Sequence, residues 1–111
     1  MDRSDFSPAR QQLLNALIGD VKQISSDIME NTAPKAYLGL DFVRSVVRGK
    51  LVCGIYPTQS GFSVAIWKSP AGKGGEGDRW PMTSIMSASD WKPLLPLMRA
   101  RVEYLRTGVL P

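Results

Sequence analysis

LVCGIYPTQSGFSVAIWK, residues 51–68, decides the fold. Two runs rich in β-branched and aromatic residues flank a turn built from Pro57, Ser60 and Gly61. Pro57 fixes φ, and Gly61 can take the positive φ that other residues resist. The pattern predicts an antiparallel hairpin with strands at 51–56 and 62–68. In the second strand Phe62, Val64 and Ile66 share one face, and Ser63, Ala65 and Trp67 share the other.

Upstream of the hairpin, Tyr37 to Leu40 reads as a short strand. Phe42 to Val47 reads as a further strand by its valines, with Arg48-Gly49-Lys50 as a tight turn into Leu51. Leu40, Val43 and Val47 also fit helical spacing, and the strand reading is preferred. Downstream, SPAGKGGEGD (69–78) and Arg79 form a glycine-rich flexible loop, and Pro81 to Met86 an edge strand.

Helical patterns close both ends. Ser7-Pro8 opens the first. Leu14, Leu17, Val21, Ile24 and Ile28 step by 3, 4, 3 and 4 along one stripe, which Leu13, Ile18 and Met29 widen. The helix is expected from about residue 8 to 30, roughly 33 Å long, ended by Asn31 or Ala33-Pro34. In the second, Ser87 or Ser89 is the cap and Trp91, Leu94 or Leu95, Met98, Val102 and Leu105 form the stripe. Pro96 is expected to kink it, and Gly108 to stop it. The expectation is a two-layer α+β domain over residues 8–108, after a tail at 1–7. An antiparallel sheet of about four or five strands is flanked by an N-terminal and a C-terminal helix, with one sheet face left open.

The 111 residues hold no histidine and one cysteine, Cys53. That excludes Ser-His-Asp and Cys-His catalysis within the chain, and leaves too few ligands for a zinc site. No cofactor or metal is expected. Cys53 lies in an apolar run and reads as a small buried hydrophobe. A single thiol, no apolar run near ~20 residues and no signal-like start suggest a cytoplasmic protein that does not enter membranes.

The net charge of +4 divides unevenly, −2 over residues 1–31 and +6 over the rest, which points to an anionic partner for the second part. Arg44, Arg48, Lys50, Lys68, Lys73 and Arg79 lie among Tyr56, Trp67 and Trp80, a mixture suited to phosphates and stacked bases. Arg44 and Arg48 are expected on one strand face. The Gly72-Lys73-Gly74 stretch lacks the order of a phosphate-binding loop. On the last helix Lys92, Arg99, Glu103 and Arg106 read as a solvated polar face, with Glu103 paired to Arg99 and Arg106.

The preferred function is a small non-enzymatic binding module that occupies a protein or nucleic-acid surface with its open sheet face and loops. The alternatives are direct nucleic-acid binding and, further off, a histidine-free ribonuclease using Lys50, Tyr56 and Arg79. A homodimer is expected through the Leu13, Ile18 and Met29 flank of the first helix.

Overall fold

The hairpin is the centre of a larger meander. The computed structural model describes residues 1–67 and 79–109. Among them, five strands follow one another in space as in sequence: β1 (Ile28–Asn31), β2 (Leu38–Phe42), β3 (Leu51–Pro57), β4 (Phe62–Ile66) and β5 (Thr83–Ile85). Every neighbouring pair is antiparallel. The helices are α1 (Gln11–Lys22) and α2 (Leu95–Thr107). This is the expected two-layer α+β arrangement.

One face of the sheet carries the core. Leu38, Leu40, Phe42, Cys53, Ile55, Phe62, Val64, Ile66 and Ile85 join Leu14, Leu17 and Val21 of α1 and Met98, Val102 and Leu105 of α2 in one buried cluster. The alternation of β4 is as its sequence implies, with Phe62, Val64 and Ile66 inward. The β2–β3 register shifts where Leu40 faces Cys53 but Asp41 faces Leu51, so Val52 is an extra residue on β3.

The turn differs in its reason for glycine. Gly61 does not have a positive φ. A Cβ there would lie 2.8 Å from the Ile85 carbonyl oxygen, so close approach of β5 demands the glycine. Thr58 closes the turn, its N–H donating to the Gly61 oxygen at 3.0 Å and its Oγ1 accepting from the Gly61 N–H at 3.1 Å.

The first helix is shorter than its apolar stripe. It ends at Lys22, because Ser25, Ser26 and Asp27 offer the backbone another pattern: the Asp27 N–H donates to Ser25 Oγ at 3.1 Å. Ile28 and Met29 therefore lie on β1. Ile18 is fully buried, and Leu13 packs partly against the core. Of the expected dimer flank only Met29 is exposed, at 53%. The three residues do not make one surface, and the argument for a dimer through them falls.

The tail expected at 1–7 is docked. Phe6 is buried with its ring edge on Phe62, centroids 6.2 Å apart. The N-terminal amine donates to the Ala33 carbonyl at 2.7 Å, and Arg3 pairs with Glu30. Residues 43–50 are not a strand either. Ser45 Oγ donates to the Gly49 carbonyl at 2.6 Å, and the Val46 N–H donates to the Leu105 carbonyl at 2.9 Å, folding this segment onto α2. Pro96 causes no kink, since α2 begins at Leu95 and the proline sits in its first turn. Gly108 stops the helix with φ 74°, as expected.

Candidate binding surface

The outer sheet face, away from both helices, is built on a row of small residues. Asn31, Gly39, Gly54 and Ala65 stand side by side across β1 to β4. At Gly54 a Cβ would come within 3.0 Å of the Tyr37 ring. The missing side chain is thus the seat of Tyr37, which reaches over the sheet from just before β2. Its ring centroid lies 5.1 Å from Tyr56 and 6.5 Å from Trp67, each tilted by 43°. Lys35 Nζ stands 5.6 Å from the Tyr37 ring centroid. Beside the cluster, Asn31 Nδ2 donates to Asp41 Oδ2 at 3.0 Å.

Tyr56 and Trp67, both expected in a binding region, are therefore brought together. Tyr37, Lys35 and Gly54 are additions. A glycine inside an otherwise strong strand was the available signal, since it marks close approach to another group.

Of the basic residues expected there, Arg44, Arg48 and Lys50 lie elsewhere. Arg44 and Arg48 lie in the 43–50 segment rather than on a strand face. Arg44 Nε donates to Asp27 Oδ1 at 3.1 Å, while Arg48 is exposed. Lys50 is exposed just before β3, and its carbonyl accepts from the Phe42 N–H at 2.8 Å. Arg79 forms an isolated bridge with Trp67, and the Trp80 N–H donates to the Ile66 carbonyl at 2.8 Å. Lys68, Lys73 and the loop at 69–78 lie outside the described residues. Lys50 lies just before β3 and Tyr56 near its far end, their backbones roughly 20 Å apart at ~3.3 Å per residue.

The titratable groups Cys53 and Arg101 are buried. Burial, with the charge of Asp41 adding, pushes the Cys53 thiol up to about 12. Burial lowers Arg101, only 5% exposed, whose Nε donates to the Leu51 carbonyl at 3.0 Å and ties α2 to β3. Among the described residues no group of three or more carboxylate or thiol ligands could hold a metal ion. No helix among them is long and apolar enough to cross a membrane. Comparisons with protein-family models, curated proteins and solved structures give no match to this chain.

Proposed function

We propose that this protein is a non-enzymatic binding module that occupies the surface of a partner protein with the outer face of its sheet. The observation that carries this reading is the Tyr37–Tyr56–Trp67 cluster seated on Gly54. Tyrosine and tryptophan supply large contact area at low entropic loss, and they dominate the centres of protein interfaces. The glycine seat holds Tyr37 in place before binding, which lowers the ordering cost. Lys35 and Asp41 supply charged groups beside the apolar centre, as interface rims do. A protein partner is favoured over nucleic acid because Arg44, Arg48 and Lys50 do not share a strand face with the aromatics. The single buried thiol suits a reducing, cytoplasmic setting.

The test is affinity capture from native lysate, with and without nuclease, using wild type, Tyr56→Ala with Trp67→Ala, and Arg48→Ala. Wild type and Arg48→Ala should retain one stoichiometric protein despite nuclease, and the aromatic double variant should lose it while keeping a native circular dichroism spectrum. Capture abolished by nuclease would shift the reading to nucleic acid. Substrate turnover that vanished on changing one polar residue would overturn it.

A further inference from the structure

A groove of about 570 Å³ runs between the end of α1, the start of β1, the end of β2 and one face of α2. The volume suits a specific ligand or peptide segment. Its α2 wall is Arg99, Val102, Glu103 and Arg106, whose spacing of i, i+3, i+4 and i+7 makes one helical stripe. Asp27 and Arg44 line it from the other elements, and the buried Phe42 and Val102 give it an apolar part.

The sequence spacing allows Glu103 to pair with Arg99 or Arg106. In the structure it takes Arg106 alone, accepting from Nε at 3.2 Å and Nη2 at 2.6 Å. Arg44 is held by Asp27. Arg99 makes no ion pair among the described residues. Three guanidinium groups thus meet two carboxylates, and the groove has one positive charge in excess. Arg44 and both members of the Arg106–Glu103 pair are largely exposed, so an incoming carboxylate can exchange for an internal one at little loss.

We propose that this groove binds an acidic peptide segment of a partner protein, with a carboxylate on Arg99 and Arg44 and an adjacent apolar side chain against Phe42 and Val102. The guanidinium fork matches a carboxylate in two hydrogen bonds. Arg99 and Arg106 are separated by roughly 10 Å of helical rise, the reach of about three extended residues. Free phosphate has no apolar body for the Phe42 side, and one positive charge in excess suits a single carboxylate rather than a run of phosphates. The groove is separate from the aromatic sheet face, and each can fail without the other.

The test is a chemical-shift titration of the labelled full chain with a capped tetrapeptide of alternating leucine and glutamate, its leucine–glutamine counterpart, and inorganic phosphate. The glutamate peptide should move the Arg44 and Arg99 Nε–H signals and amides 99–106 in a saturable way, and the glutamine peptide should not. Arg99→Gln should weaken binding about ten-fold, whereas Tyr56→Ala should leave it unchanged. Equal response to the glutamine peptide, a response to phosphate alone, or no response at millimolar peptide would overturn the assignment.

Discussion

Trp91 Nε1 donates to Asp20 Oδ2 at 2.8 Å, a bond between residues 71 apart in sequence. It joins α1 to the turns that lead into α2, and Trp91 is only 1% exposed. Trp91→Phe removes the donor and part of a buried ring. A hydrogen bond to a charged acceptor contributes about 1.5–3 kcal/mol. Asp20 is half-buried, so the lower end applies. The vacated ring volume adds about 1.5 kcal/mol more. The expected loss is about 3 kcal/mol; at ~2.1 cal/mol/K per residue over this chain that lowers Tm by roughly 13 °C. Asp20→Ala and the double variant complete a thermodynamic cycle. Urea unfolding followed by far-ultraviolet circular dichroism, which does not depend on the tryptophan, should give a coupling of about 1.5 kcal/mol. A coupling below about 0.5 kcal/mol would refute the claim that this bond fastens the helices, leaving Trp91 as packing alone.

Glu30 accepts from Arg3 and Lys22, chiefly Arg3, which holds its carboxyl below the usual range. A depressed folded pKa stabilises above the unfolded value and is lost as pH falls through the folded one. Glu30→Gln should therefore cost about 1 kcal/mol at pH 7, after screening of its part-exposed partners. In denaturant midpoints that gap should close as pH drops below 4.5, and a gap constant to pH 3 would refute the pairing. Cys53, with its thiol near 12, should alkylate at least about a thousand-fold more slowly than the unfolded chain; mass spectrometry showing prompt labelling in native buffer would contradict its burial. Gly61→Ala should destabilise by about 1–3 kcal/mol, with faster hydrogen exchange concentrated in β4 and β5. Gly19→Ala, where a Cβ meets nothing within 4 Å, should stabilise α1 by up to about 1 kcal/mol; the same sign for both glycines in thermal unfolding would defeat the geometric argument.

The strands at 51–66 and the stop at Gly108 were legible from strand alternation and from the positive φ that glycine accepts, whereas Gly61 is demanded by β5 and not by its own turn. The end of α1 was not legible. Ile24 and Ile28 keep the helical spacing after the helix has stopped, because both remain apolar for other reasons: one packs beside the helix end, the other enters the sheet core. Periodicity registers burial, not which element delivers it. Val43, Val46 and Val47 misled in the same way. Their strand propensity is overridden by Ser45 and by the Leu105 carbonyl, a partner about sixty residues distant. Of the candidate surface, Tyr56 and Trp67 could be named from strand alternation. Tyr37 joins them through a register that sequence cannot supply. Arg99 is exposed, as its place on the polar face implies, but sequence spacing offers Glu103 to it and to Arg106 alike, and Glu103 turns to Arg106.

The order β1-β2-β3-β4-β5 has a consequence for synthesis. Each strand pairs with the one translated just before it, so most of the sheet can grow by short loop closures as the chain leaves the ribosome. Helix α1 is different. It emerges before the sheet, with Leu14, Leu17, Ile18 and Val21 on its apolar face, and must wait for the sheet to cover them. Helix α2 follows the sheet, bringing Met98, Val102 and Leu105 to the same cluster, just after Trp91 reaches back to Asp20. The interval between those two events is when a nascent chain of this protein most needs shielding.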